Sequence, residues 1–346
     1  MPQDVVVVFV HGINVTNQDY YERMRDALLR AMPRQDRQFV VFRAVFWADI
    51  VRGRQQEYLS YARTSTSFIG TPLHKLVIEG LGDAAAYQKT KFRRNSAYFE
   101  IQDRLKRTIR DAANGRDDAR PLIFIGHSLG CHIISSFAWD LHKIKRPQSS
   151  SPTSVPRLES VEFPDIDPAD EDFASHLHEA SSFERLDTFS GFITMGSNMP
   201  LFTFTFGPHN VHPISRTPYP KTRSPAFPGP AIRHEVLAQA RWLNFYSVND
   251  PLGYPLKPLN DAYDDEPLLS DHAVSSEGLW RSIFLRGKLR QLNALRAHTG
   301  YWTNKEVIKG AARLIRDIIN ADEIARRVAV KTSKTSNLMG DATPQT

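Results

Sequence analysis

Cysteine is almost absent: Cys131 stands alone among 346 residues, which rules out an internal disulfide and any cysteine-rich zinc site. Long apolar runs are missing as well. No stretch approaches the roughly 18 uninterrupted apolar residues of a membrane span, so no transmembrane segment is expected. The apolar run Val5 to Val10 follows Met-Pro-Gln-Asp and lacks the basic leader and cleavage site of a signal peptide. It reads as a buried strand, and the expected location is cytoplasmic, with signal-independent export left open. No charge of one sign dominates, since 44 Lys+Arg against 38 Asp+Glu leave +6. Basic residues are interspersed with acids, as Arg23, Arg25 and Arg30 are with Glu22 and Asp26. With no concentrated basic, aromatic stripe and no recognition motif, nucleic acid is not an expected partner. Two small clusters, Lys91, Arg93 and Arg94, and Lys143, Lys145 and Arg146, keep peripheral contact with a lipid surface open. There is no internal repeat.

What is present is an ordinary globular balance, 41% hydrophobic and 24% charged, enough to bury a large core. Apolar runs at 4–10, 39–47, 121–126, 189–196 and 242–248 read as buried strands. Asp19 to Ala31 and Tyr98 to Ala113 carry helical spacing, the second through Phe99, Ile101, Leu105 and Ile109. The alternation implies an α/β fold with a mostly parallel central sheet and helices on both faces. One domain over 1–330 is expected. Two stretches break the alternation, at about 48–95 and 143–187; the first reads as broken helices and the second, Ser/Pro-rich and then acidic, as poorly packed. Both are placed as cap insertions above the sheet. A proline-rich loop is expected over Gly207 to Pro230, and a disordered tail over 331–346.

Gly126-His127-Ser128-Leu129-Gly130 spells G-x-S-x-G between the strand Pro121 to Ile125 and a helical stretch from His132. Strand, tight turn and helix are the setting of a nucleophile elbow, in which the turn strains the serine backbone and leaves no room for side chains at 126 and 130. The hydroxyl is expected to stand exposed above the sheet.

These residues resemble those of lipases and esterases of the α/β-hydrolase superfamily, and the resemblance covers most of the chain outside the insertions. It implies an α/β-hydrolase fold with Ser128 as nucleophile, followed in chain order by an acid and a histidine. Asp250, in Asn249-Asp250-Pro251 at the end of the strand 242–248, is the acid candidate; Asp261, Asp264, Asp265 and Asp271 follow no convincing strand. His298 is the base candidate. Its segment is similar to the superfamily's His-x-x-Tyr and precedes a helix on which Thr303 and Glu306 form a capping box. His272 is its rival. One oxyanion donor is the N–H of Leu129. The other, by likeness of His11-Gly12-Ile13-Asn14 to the His-Gly loop of lipases, is the N–H of Ile13. Gly12 lets that loop turn tightly, and His11 reads as a structural hydrogen-bonding residue rather than a second base. The resemblance implies an acyl-enzyme that water hydrolyses, with no metal or organic cofactor.

Other features have simpler readings. Cys131 is expected to be a small packing residue, and Asp264-Asp265-Glu266 a solvated loop. Met199, Leu201 and Phe202 are candidates for an acyl pocket, although core packing explains them almost as well. The expected substrate is a small-molecule or lipid ester, the apolar segments Ser67 to Ile69, Leu73 to Leu81 and Leu201 to Phe206 leaning the choice toward lipid. Thioesterase and amidase chemistry stay open on the same three residues. A non-catalytic binding or scaffold role stays open as a different class.

Overall fold

The structure, a computed structural model, describes residues 4–65, 72–89, 96–113, 119–144, 181–204, 207, 211–216, 226–275 and 297–340. Its centre is β1 (Val5–Val10), six apolar residues of which five are β-branched, all fully buried. Such a strand suits only the middle of a sheet covered on both faces. β1 pairs on one side with β2 (Val40–Val45) and on the other with β3 (Leu122–His127). Beyond β3 come β4 (Phe189–Met195), β5 (Arg241–Tyr246) and β6 (Leu269–Ala273), giving a six-stranded sheet of order β2-β1-β3-β4-β5-β6 with every pairing parallel. This is an α/β architecture. The chain steps from β1 outward to β2, then returns across β1 to β3 and runs the other way. Loops leaving β1 and β3 therefore diverge to opposite faces and open a crevice at the C-terminal ends of these two strands, where α/β proteins bind ligands.

Alternation along β1 divides the core. Val6, Val8 and Val10 face one layer, built from α4 (Ala97–Ala113) and α5 (Leu129–Ile144) through Ile101, Leu105, Ile109, Ile133 and Phe137. Val5, Val7 and Phe9 face the other, built from α1 (Glu22–Ala31) and the last helix (Lys305–Gly340) through Met24, Leu28, Val307, Ala311, Ile315 and Ile318. The i, i+4 spacing in each helix is what lays these side chains along one stripe.

The segment after β2 holds two helices, α2 (Ala48–Ser65) and α3 (Pro72–Ala86), in keeping with broken helices there. Three expectations change. β6 escaped notice because only Leu269 and Ala273 of Leu-Ser-Asp-His-Ala are apolar. It lies at the sheet edge, where one face need not be buried. The last helix begins on Asn304, whose Oδ1 accepts from the N–H groups of Glu306 and Val307 at 2.9 and 3.2 Å, while Thr303 Oγ1 turns back to the Gly300 carbonyl. Asn304, not Thr303, is thus the cap. The same helix runs on to Gly340, through much of the stretch assigned to a disordered tail. Residues 145–180 of the second insertion, and much of the loop 207–230, lie outside the described residues. Among the described residues no helix is long and apolar enough to cross a membrane.

The start of α5 leaves a measurable constraint. A Cβ on Gly130 would lie 2.2 Å from the Val10 carbonyl oxygen and 2.8 Å from that of His11. Both are backbone atoms of a central strand and its loop, so neither can swing aside. Gly130→Ala is expected to cost about 3 kcal/mol or more in urea unfolding, at the upper end of overpacking effects. A loss under ~1 kcal/mol would mean that the helix slides away from β1 easily.

Candidate active site

Because all strands are parallel, β1, β3, β4, β5 and β6 deliver their following loops to one edge of the sheet. Ser128 sits in the turn between β3 and α5 with φ +52°, a left-handed conformation that costs a non-glycine residue about 1–3 kcal/mol and must be held by its surroundings. Its N–H donates to the Met195 carbonyl at 2.9 Å and its carbonyl accepts from Cys131 N–H at 3.0 Å. A Cβ on Gly126 would lie 2.9–3.0 Å from Ile134 and the Cys131 backbone. The flanking glycines of G-x-S-x-G therefore answer to crowding on both sides of the turn. Leu129 opens α5, so its N–H is among the first-turn donors for which a helix has no internal partner.

The loop after β1 lies directly against this turn. A Cβ on Gly12 would be 2.5 Å from Ser128 Cβ and 3.1 Å from Oγ. His11 is fully buried, stacked on Trp47 with ring centroids 4.7 Å apart. Its Nε2 accepts from Trp47 N–H at 3.1 Å, so Nδ1 carries the proton and donates to the Gly12 carbonyl at 2.7 Å. That carbonyl belongs to the same peptide plane as the Ile13 N–H, so the imidazole fixes the direction of that N–H. Burial pushes the His11 pKa down to about 3, which keeps the ring neutral and in the tautomer this pairing needs.

Asp250, in the turn after β5, meets His298, which lies in a short helical turn ahead of the last helix. Nδ1–H of His298 donates to the carboxylate, 2.9 Å from each oxygen. Oδ1 also accepts from Leu252 N–H at 2.9 Å, and Oδ2 from the Tyr301 hydroxyl at 2.8 Å. Burial pushes the Asp250 carboxyl up, but the hydrogen bonds and charge of His298, with Leu252 and Tyr301, more than offset it, and the pKa is lowered overall. Gly196, with φ +55°, and Gly253 make room for this carboxylate: a Cβ at either would lie 2.9 or 2.3 Å from Oδ2. The Tyr301 hydroxyl also accepts from Ser247 N–H at 2.9 Å, bracing the loop after β5 against the histidine segment. His127 braces the other end, its Nε2–H donating to the His298 carbonyl at 2.6 Å. The His298 ring is 4.8 Å from that of His127.

Ser128 Oγ and His298 Nε2 are both buried and have no hydrogen-bond partner among the described residues. The serine is only 1% exposed, so the expectation of a hydroxyl standing open above the sheet is corrected. Its side chain is covered by the surrounding structure.

The rivals are placed elsewhere. His272 lies on the edge strand β6, bonded to Ser270 Oγ at 2.9 Å and stacked on Phe245. Asp271 accepts from the N–H groups of Leu256 and Lys257 and from Asn244, so it clamps a loop. Glu266 is buried and paired with Arg216 at 3.2 Å, so that part of the acidic run is structural rather than solvated. Cys131 is fully buried and burial raises its thiol pKa to about 12, which makes it an unreactive packing residue. Phe202 stacks face to face on His132 at 4.1 Å, Met199 is buried and Leu201 is 39% exposed. Gly196, Gly253 and Trp47 were not singled out from sequence as parts of the site, and only the fold brings them to it; Tyr301 is the tyrosine of the His-x-x-Tyr segment, and the structure sets its hydroxyl on Asp250. Among the described residues no group of three or more His, Cys, Asp or Glu is arranged to hold a metal.

Fold and site together define an α/β protein with an elbow serine at the switch point of an all-parallel sheet and a buried Asp–His pair beside it. No family model and no curated protein sequence matches the chain. Among solved structures it is similar to TT1662 from Thermus thermophilus, with 12% identity, 87% of this chain and 90% of that chain covered, and a TM-score of 0.28. At that score the likeness carries no weight for activity.

Proposed function

We propose that the protein is a serine hydrolase that cleaves carboxylic esters, lipid acyl esters among them, through an acyl-enzyme on Ser128. The observation that carries the proposal is the Asp250–His298 pair: a buried carboxylate accepting from Nδ1–H leaves the lone pair on Nε2, the ring nitrogen without a partner. That is the protonation state a general base needs. On this reading His298 takes the Ser128 proton, the oxygen attacks the acyl carbon and Asp250 stabilises the imidazolium. The N–H groups of Leu129 and Ile13 receive the negative charge that develops on the carbonyl oxygen. The imidazolium returns its proton to the leaving alcohol, and a water activated by the same ring releases the acid. His11, Gly12, Gly126, His127 and Gly130 support these groups without touching the reacting atoms.

In apo hydrolases the serine–histidine hydrogen bond is often long and tightens on substrate binding. That Ser128 Oγ and His298 Nε2 are not hydrogen-bonded to each other is therefore compatible with catalysis. The reading is tested with acyl esters of two to sixteen carbons and with a fluorophosphonate, followed by mass spectrometry of the labelled peptide. Hydrolysis with the phosphonate on Ser128 is the expected outcome, and the chain-length optimum reports pocket depth. A folded protein that cleaves no ester and takes no label at Ser128 would instead favour the binding or scaffold role.

A further inference from the structure

The loop that carries Ile13 is held from outside the sheet. Asn14, the next residue, has φ +60°, and its N–H donates to Asp83 Oδ2 at 3.2 Å. Asp83 is on α3, in the long segment between β2 and α4, and is 5% exposed. Its other oxygen accepts from Gln55 Nε2 of α2 at 2.9 Å, and the same amide reaches the Ile78 carbonyl of α3 at 3.2 Å. Arg52 of α2 donates to the Val15 carbonyl at 2.7 Å. One turn before Asp83, α3 presents Gly80, where a Cβ would lie 3.2 Å from Asn14 Nδ2 and 3.6 Å from Ile13 Cδ1. Helix and loop are in direct contact there.

Two consecutive peptides in the loop thus have separate anchors. His11 holds the Gly12–Ile13 peptide by its carbonyl, and Asp83 holds the Ile13–Asn14 peptide by its N–H. Between the two planes only φ and ψ of Ile13 can turn. Release of the second plane frees a left-handed Asn14 to relax toward ordinary backbone, and the Ile13 N–H loses its aim.

We infer that Asp83 is a positioning residue for the oxyanion donor, and that α2 and α3 with the loop 12–16 form one mechanical unit that sets the Ile13 N–H against Ser128. The inference rests on the ester-hydrolase reading of Ser128. It makes the insertion helices part of the machinery for transition-state charge, beyond any role as a cover. A rearrangement that lifts α3 disarms the donor.

The test compares Asp83→Ala and Asp83→Asn in the full-length protein. In the asparagine variant the side-chain oxygen still accepts from Asn14 N–H, and Gln55 can turn its amide to meet the new donor, giving up only its own bond to the Ile78 carbonyl. Asp83→Ala is expected to lower kcat for ester cleavage about 10- to 100-fold with KM within about twofold, as for a weakened oxyanion donor. Asp83→Asn is expected to keep at least about half of the wild-type rate, a rescue by hydrogen bonding alone. Amide exchange gives a second readout that needs no activity: Asn14 should lose protection in Asp83→Ala and keep it in Asp83→Asn. If Asp83→Ala unfolds, the asparagine variant and Gln55→Ala carry the comparison, the latter expected to give a smaller fall in the same direction. Unchanged kcat in a folded Asp83→Ala, or unchanged Asn14 exchange, overturns the inference. Wild-type inactivity with no label at Ser128 overturns the hydrolase reading instead, and Asn14 exchange still decides whether Asp83 holds the loop.

Discussion

Ser128→Ala is expected to reduce ester hydrolysis by about 10⁴- to 10⁶-fold while leaving the fold intact. The magnitude follows from groups that act as a unit: removing the nucleophile forfeits most of the catalysis, and donors aimed at the oxyanion retain only a residual part. The intact fold follows from the structure, because the Ser128 hydroxyl has no hydrogen-bond partner among the described residues. Its removal leaves no other polar group unsatisfied, and the change in stability should stay within about 0.5 kcal/mol. The variant needs the same left-handed backbone as the serine, so no strain is added. Initial rates with a matched short-chain ester, alongside thermal melts, check both halves. A variant that keeps more than about a tenth of the wild-type rate would mean that another group attacks the acyl carbon.

Acid should unfold the protein well above the range in which its carboxylates titrate. Burial pushes His11 and His127 down to about 3, the latter also through the neighbouring His298, and pushes His132 down to about 4. In the unfolded chain all three return to the ordinary value near 6.5. Above about pH 4 and below 6.5 the unfolded state binds three protons that the folded state refuses, and stability rises with pH wherever the unfolded chain binds more protons. Each ring contributes a slope of about 1.4 kcal/mol per pH unit, so two pH units remove about 7 kcal/mol, much of a typical domain's stability. Asp250 acts in the same direction at lower pH. Its lowered pKa contributes stability that is complete above the ordinary carboxylate range and is lost as pH falls through the lowered value. Urea unfolding at pH 7.5, 6.5, 5.5 and 4.5 should show midpoints falling steadily below pH 6.5. His127→Gln should lower the slope by about a third. Midpoints flat down to pH 4.5 would mean that the buried rings accept protons, and that the anchoring of Gly12 and of His298 by neutral imidazoles is wrong.

How much was legible along the chain depended on whether a feature is local. The G-x-S-x-G elbow could be read because strand, crowded turn and helix occupy one continuous stretch, from Leu122 to Ile144. Asp250 could be read because Asn-Asp-Pro directly follows an apolar run, and His298 only through a motif and its order in the chain. β6 could not, because the apolar pattern fades at a sheet edge where water covers part of the strand. Asp83 offered no signal at all: it lies 69 residues from the Asn14 amide it accepts from, and no spacing rule reaches across such a distance.

The sequence by itself determined the α/β class and the position of the elbow, because each follows from periodicity or turn chemistry near one strand end; the two other residues proposed for catalysis came from the resemblance, through its order of groups along the chain. Only the tertiary structure decided which nitrogen of His298 is left unpaired, which peptide His11 aims and which helix anchors the Ile13 loop. Those outcomes turn on contacts of about 3 Å between segments far apart in the chain, and such contacts are set by strand order and helix packing.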